Sequence, residues 1–422
     1  MASKPEPISM LAPAGFREKL SRRALFQIGG AAAGLAIVST ACGSDGGGGA
    51  SNTNGSTPGA TTGGTTGAGL TEATGDWSRV INKSSGTLAM YTWGDYNDPQ
   101  IVGDLANSTL GVTMKVDYYT SNDDLITKLS SSAGASGFDI VVPTGPYIPQ
   151  MVQKDLLAKF DKTLLPNMVN VDANYLGRDW DPTNEYSVCK DWGTTGYMWD
   201  TTVITKDLTS WQDFMDATAG EGSGNVSWLD TAANVCGPYF WANGIDWNTE
   251  KKEDLDACEK YLLDNVASHI KAFDSYPSTA MAEGAYGLSM FWNGDARQAY
   301  VRIKEAGGTP ENFKWAIGGP NTELWMDNYC IAKGAPNAEA AHSWINWLLV
   351  PEISIQDLNY HGYNSGMKDM EKLIAELLPD LVNGDMIFFG EEQVKSMRTQ
   401  VINSAQDRQI EIYDKVKAKA AG

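Results

Sequence analysis

Four short stretches of this chain set a tryptophan two or three residues before an aspartate: Trp93 with Asp95, Trp228 with Asp230, Trp292 with Asp295, and Trp325 with Asp327. The first lies in Tyr91-Thr92-Trp93-Gly94-Asp95-Tyr96, and a related stretch, Tyr360-His361-Gly362-Tyr363, adds rings without an acid. An indole face attracts a cation, contributing roughly 0.5–2 kcal/mol. A carboxylate pairs with an ammonium through charge-assisted hydrogen bonds of roughly 1.5–3 kcal/mol each. One Trp–Asp pair means little, because Trp is mostly core and Asp mostly turn. Four pairs at strand ends predict a box of ring faces with carboxylates at its rim, suited to an elongated molecule with an apolar stem and ammonium ends. Two ends held in this way are enough for micromolar affinity after association costs.

The elements that must position these residues follow from periodicity and turn signals. Residues 88–90 read as a buried strand leading into the first ring cluster, 112–119 as a strand, 123–131 as a helix, and 138–143 as a buried strand closed by Thr144-Gly145-Pro146. Tyr186-Ser187-Val188 precedes a loop and strand rich in Gly and Trp, and Ser210 with Asp213 caps a short helix. Residues 226–230 form a strand that feeds a helix containing Cys236, 253–266 are amphipathic, and 288–292 are another apolar strand. A helix over 338–349 is ended by Pro351, and the last thirty residues read as a terminal helix. Strands alternating with helices predict an α/β fold with parallel sheets covered on both faces. In such open sheets ligands collect at the carboxyl ends of strands, where the Trp–Asp pairs fall.

The 422 residues carry a formal net charge of -20. The first 41 residues hold five Lys/Arg against two Asp/Glu, which leaves -23 for the rest. Such a surface repels nucleic acid and anionic lipid, so both are excluded as partners. Ser21-Arg22-Arg23-Ala24-Leu25-Phe26, an apolar run over 28–38 and Ser39-Thr40-Ala41-Cys42 predict that residues 1–41 are an export signal of twin-arginine type. Cys42 is then the lipid anchor. Residues 42–80, dominated by Gly, Ser, Thr and Ala, predict a disordered tether that holds a folded body near the outer face of a membrane. Four further cysteines permit two disulfides, with Cys236–Cys258 and Cys189–Cys330 the expected pairs and free buried thiols the alternative. His269, His342 and His361 are scattered, so neither a metal nor a cofactor is expected.

Together these segments resemble the bacterial spermidine- and putrescine-binding proteins, the extracytoplasmic receptors of polyamine ABC transporters. Tyr-Thr-Trp-Gly-Asp-Tyr, Phe-Asp-Ile-Val-Val-Pro-Thr, Tyr-Ser-Val, Thr-Ser-Trp-Gln-Asp, Met-Phe-Trp-Asn-Gly-Asp, Trp-Met-Asp and Gly-Tyr-Asn occur in that family's order from about Leu88 onward. The resemblance implies the two-lobed periplasmic-binding-protein fold of type II, with a cleft between lobes joined by crossing strands. Lobe 1 would span residues 86–190 and 326–372, and lobe 2 residues 191–325 and 373–422. It implies pocket aromatics at Trp93, Tyr96, Trp292, Trp325 and Tyr363, carboxylates at Asp95, Asp295 and Asp327, and Thr144 in place of a pocket serine. It also implies a monomer that carries a small cationic ligand to a membrane permease. The departure is at Thr231 and Asn234, where the family has acids; Asp230 stands one position off. With those charges missing, a short putrescine-like diamine is favoured over spermidine, with room also for a guanidino compound such as agmatine or a different amine-containing ligand.

Two other readings compete. A sugar receptor would also stack tryptophan on ring faces, although sugar sites mix Asn, Gln, Arg and Lys with their acids. A secreted glycosidase would need only two suitably spaced carboxylates. No Gly-x-Ser-x-Gly elbow is present, since Gly362-Tyr363-Asn364-Ser365-Gly366 places its serine one position late. The chain is therefore expected to bind rather than to catalyse.

Overall fold

The computed structural model describes residues 86–422 apart from residue 133. The export segment, Cys42 and the tether lie outside the described residues. In chain order the strands are β1 (Gly86–Trp93), β2 (Val112–Tyr119), β3 (Ile140–Val141), β4 (Leu157–Ala158), β5 (Ser187–Asp200), β6 (Val226–Trp228), β7 (Ala272–Phe273), β8 (Leu288–Trp292), β9 (Phe313–Ala316), β10 (Thr322–Ala332) and β11 (Met397–Arg398). The helices of eight residues or more are α1 (Asn122–Ser131), α2 (Trp211–Ala219), α3 (Ala232–Asn243), α4 (Lys252–Asn265), α5 (Asn293–Glu305), α6 (Ala338–Leu348), α7 (Pro351–His361), α8 (Met370–Leu377) and α9 (Gln406–Ala420).

The main strands lie side by side in the order β2-β1-β3-β10-β5-β8-β6-β7. β1 pairs in parallel with β2 and β3. β6 pairs in parallel with β7 and β8. Between these two groups run β5 and β10, antiparallel to each other and to their outer neighbours. β5 pairs with β10 from Ser187 to Thr194, then with β8 from Thr195 to Trp199, so it crosses from one strand group to the other. β10 runs back and ends against β3 at Cys330 and Ile331. The two crossing strands join two lobes, as the sequence resemblance implies. The parallel sheet expected from strand–helix alternation is present in each lobe, but the junction is antiparallel.

Local chemistry explains most element boundaries. In β1, Leu88 and Met90 are buried while Ala89 and Tyr91 are half-buried, the period-two pattern of a strand with unequal faces. The Ser210 side chain accepts from Asp213 N and the Asp213 carboxylate accepts from Ser210 N, the reciprocal box expected at the start of α2. Pro351 does not simply stop α6. It occupies the first turn of α7, where its missing N–H has no helical partner to lose. Of the residues 138–143 expected as strand, only Ile140–Val141 pair within β3. The terminal helix is confined to Gln406–Ala420, and a separate short helix covers Glu391–Ser396.

Each lobe has its own core. In the first, Leu125, Leu129, Val141, Ile148 and Met151 pack under β1 and β3. In the second, Trp211, Phe214, Trp228, Trp241 and Trp247 form a continuous aromatic core, with Trp211 and Trp241 ring centroids 4.9 Å apart. Ile412 and Val416 of α9 close this core from the C-terminal side.

All four described cysteines are free and buried, which overturns both expected disulfides. Cys189 lies opposite Asn328 and Cys330 opposite Ser187, two residues along the same ladder. Diagonal neighbours in a sheet stand roughly 7–8 Å apart, beyond disulfide reach. Cys236 and Cys258 are neighbours on α3 and α4, with the Cys258 thiol 3.9 Å from the Cys236 carbonyl, and they pack as thiols in the second core. Burial raises the thiol pKa of both Cys258 and Cys330, which keeps them protonated.

Candidate ligand-binding site

A cavity of about 410 Å³ lies between the two strand groups, and all ten candidate residues line it. Trp93, Asp95 and Tyr96 reach it from the end of β1, and Thr144 from the turn after β3. Asp230 stands between β6 and α3, and Trp292 and Asp295 at the β8–α5 junction. Trp325 and Asp327 project from β10, and Tyr363 follows α7. The fourth Trp–Asp pair divides: Trp228 is fully buried in the second core, where its indole N–H donates to Thr218 Oγ1 at 3.3 Å, and only Asp230 faces the cavity.

The rings are fixed by packing and by backbone contacts. The Trp93 indole donates to the Val142 carbonyl at 3.1 Å. Trp93 meets Trp292 edge-on, with ring centroids 6.4 Å apart. Trp325 meets Tyr363 edge-on at 4.8 Å. Two glycines make room for them. A Cβ on Gly193 would fall 2.5 Å from the Trp325 ring and 2.2 Å from Asn293 Oδ1, and one on Gly294 would fall 2.5 Å from Tyr363. Tyr276, absent from the sequence candidates, joins the lobes: its hydroxyl accepts from Gly94 N at 3.1 Å and donates to the Tyr119 carbonyl at 3.2 Å.

The carboxylates differ in what already holds them. Asp327 is buried, and its Oδ2 lies 2.8 Å from the Tyr96 hydroxyl, while its Oδ1 has no hydrogen-bond partner among the described residues. The same hydroxyl donates to Asp191, so two acids compete for one phenolic proton. Burial, with Asp191 adding to it, raises the Asp327 pKa to about 7. Asp191 is anchored by Lys190, whose buried ammonium stands 2.8 Å from Asp191 Oδ2, 3.4 Å from Asp357 Oδ2 and 3.9 Å above the Tyr96 ring. Burial opposes the Lys190 charge, but Asp191 and Asp357 outweigh it and its pKa is raised. This buried network supports the cavity floor.

Asp295 sits in the first turn of α5, where the helix dipole favours an anion. Burial outweighs that, and its pKa rises to about 7 although the Tyr363 hydroxyl donates to it at 2.9 Å. Asp95 and Asp230 are already ion-paired. Asp95, at a left-handed φ of 51° that aspartate tolerates, pairs with Arg302 at 2.9 Å and its side chain is 50% exposed. Asp230 accepts from Lys417 at 2.7 Å and from the Tyr413 hydroxyl.

At the position of the expected acids, Thr231 is the N-cap of α3, its hydroxyl accepting from Asn234 N at 3.1 Å. The Asn234 amide donates to Glu323 Oε2 at 2.8 Å. Glu323 is buried, lines the cavity, and was not among the sequence candidates. Its signal was nonetheless present, because Glu323, Trp325 and Asp327 alternate along one strand and share a face. Leu324 and Met326, between them, point into the opposite core. In all, the lining carries seven carboxylates and, among the described residues, no Lys, Arg or His.

Comparison with known proteins agrees with this architecture. The model of the family described as bacterial extracellular solute-binding protein matches residues 100–376. The spermidine/putrescine-binding periplasmic protein of Escherichia coli is 30% identical over 339 residues, covering 79% of this chain and 92% of that protein. The putrescine/agmatine-binding protein of Pseudomonas aeruginosa is 28% identical, covering 74% of this chain and 85% of that protein. Among solved structures, a spermidine/putrescine ABC transporter substrate-binding protein of Streptococcus pneumoniae superposes with a TM-score of 0.65 at 23% identity, over 80% of this chain and 100% of that one. The TpPotD lipoprotein of Treponema pallidum gives 0.67 at 22% identity, over 79% and 99% of the two chains. These two share the fold. The chain belongs to the bacterial extracellular solute-binding protein family, together with the spermidine/putrescine-binding periplasmic proteins.

Proposed function

We propose that this protein is the extracytoplasmic receptor of an ABC importer and that its cavity binds a polyamine. The observation that carries this is the composition of the lining: seven carboxylates, three tryptophans and no basic side chain among the described residues. A neutral sugar needs no such excess of anionic groups, and their mutual repulsion is relieved when a cation enters. Trp93, Trp292, Trp325, Tyr96 and Tyr363 would enclose the alkyl stem, while Asp327 and Asp295 would accept from ammonium groups, with Thr144 beside Asp327. Asp95 and Asp230 would act at long range, because Arg302 and Lys417 occupy them. The uncharged Thr231 and Asn234 favour a short diamine. Glu323 stands in the same corner, so charge count alone no longer separates a diamine from a triamine. Closure over the ligand would present the closed form to a permease. Cys42, if lipidated, would keep the receptor at the outer face of the membrane.

Isothermal calorimetry with putrescine, spermidine, agmatine and a neutral sugar tests this. Heat with an amine and none with the sugar is expected. Absence of heat with every amine, or full binding after Asp295→Ala and Asp327→Ala together, refutes it.

A further inference from the structure

We propose that Glu323 receives one terminal ammonium of the ligand while Asp327, with Asp295, receives the other, so that β10 presents an acceptor for each end with Trp325 between them. This rests on the polyamine reading above and adds a specificity-determining residue to it. Glu323 and Asp327 stand four positions apart on the strand, roughly 13 Å at a rise of about 3.3 Å per residue. Side chains two apart share a face, and these three face the cavity. The backbone that spaces the two carboxylates is held on one side by β5, with Leu324 opposite Thr194 and Asp327 opposite Asp191.

The local bonding leaves Glu323 ready for a ligand. Thr195 Oγ1 and Asn234 Nδ2 both donate to Oε2, the latter at 2.8 Å. Oε1 receives no hydrogen bond from the described residues, and the side chain belongs to the cavity wall. Two neutral donors orient the carboxylate without cancelling its charge. Burial raises its pKa, as for Asp327 four positions along the strand, so an entering cation stabilises the ionised form of both. The basic groups at this corner are engaged elsewhere: Lys417 is committed to Asp230, and Arg398, opposite Glu323 on β11, donates to the Lys395 and Met397 carbonyls. Asn234 thus acts as a positioning residue: its amide holds the acid rather than contacting the amine as an acid would.

The test is a cycle between protein and ligand. Wild type and Glu323→Gln are titrated with 1,4-diaminobutane, spermidine and butylamine by calorimetry, with circular dichroism to verify folding. In wild type at least one polyamine is expected to bind roughly 10- to 100-fold more tightly than the monoamine, the ratio of one charge-assisted hydrogen bond. In Glu323→Gln that advantage should fall to within a few-fold. The exchanged pair, Asn234→Asp with Glu323→Gln, keeps one amide and one carboxylate in contact and should restore it. If wild type binds no amine, the polyamine reading itself fails. If wild type prefers the polyamine and folded Glu323→Gln keeps that preference, or the folded exchanged pair lacks it, the assignment of Glu323 is overturned.

Discussion

Replacing Asp327 by asparagine should stabilise the empty protein and weaken the ligand complex at the same time. The carboxyl is buried, has one oxygen without a partner, and shares the Tyr96 hydroxyl with Asp191. Its pKa rises from 3.8 to about 7. At roughly 1.4 kcal/mol per unit, holding it ionised at neutral pH weighs against the fold by on the order of 4 kcal/mol. An amide in its place must still be desolvated, at about 1–3 kcal/mol, so a net gain of roughly 1–3 kcal/mol remains. For a chain of this size that is a rise of several degrees, at about 2 °C per kcal/mol. The pH dependence follows from which state binds more protons. Between about pH 4 and pH 7 the folded protein retains a proton that the unfolded chain has lost, so wild-type stability falls as pH rises through that window. Asp327→Asn should flatten this slope, leaving the parts that belong to Asp295 and to the other buried acids whose pKa burial raises, Glu323 and Asp98. Amine affinity should fall about 10- to 100-fold, the loss of one charge-assisted hydrogen bond. Thermal melts from pH 4 to 8 without ligand, together with calorimetry at pH 7.5, read both effects. A melting temperature lowered at every pH, or an unchanged slope, would refute the reasoning, because either result makes Asp327 a structural acid.

Other outcomes follow from the same groups. Asp295 and Asp327 both titrate near 7, so amine binding should release protons and the Kd should tighten as pH rises from 6 to 8, by about tenfold or more, then level off. Calorimetry in buffers of different ionisation enthalpy measures the protons released, and a flat Kd with no release contradicts the assignment. Gly193→Ala should lose roughly 1–3 kcal/mol of stability through overpacking, and amine affinity with it, because its Cβ would fall 2.2 Å from Asn293 Oδ1 and 2.5 Å from Trp325. Denaturant melts and calorimetry on the same preparation check this, and unchanged values in both would mean that the strand can shift without moving Trp325.

Much of the architecture was legible because local chemistry repeats at the right period. The strands Val112–Tyr119 and Leu288–Trp292 and the capped helix after Ser210 follow from patterns inside a dozen residues. β5 was harder. All but the last of its fourteen residues are buried, so it shows no alternation, and its glycines and tryptophans read as a loop followed by a strand, whereas β10 and β8 beside it hold one strand from Ser187 to Asp200. The disulfide expectation failed for a related reason. Cysteine count and export context say nothing of register, and the two-residue offset of Cys189 from Cys330 is fixed only by the ladder.

The candidate site shows the same division. Sequence alone pointed to ten side chains that line one cavity. Those after β1, β6 and β8 converge because a sheet delivers its carboxyl ends to one edge, whereas Trp325 and Asp327 lie within the crossing strand β10, Trp228 turns into the second core, and Tyr276 and Glu323 were not foreseen. Sequence could not determine which acids remain available for a ligand. Asp95 is taken by Arg302, more than two hundred residues away, and Asp230 by Lys417. Glu323 fills the place that Thr231 and Asn234 leave uncharged. A carboxylate's availability depends on partners distant in the chain and on how far burial removes it from water, and both are set only when the two lobes pack around the crossing strands.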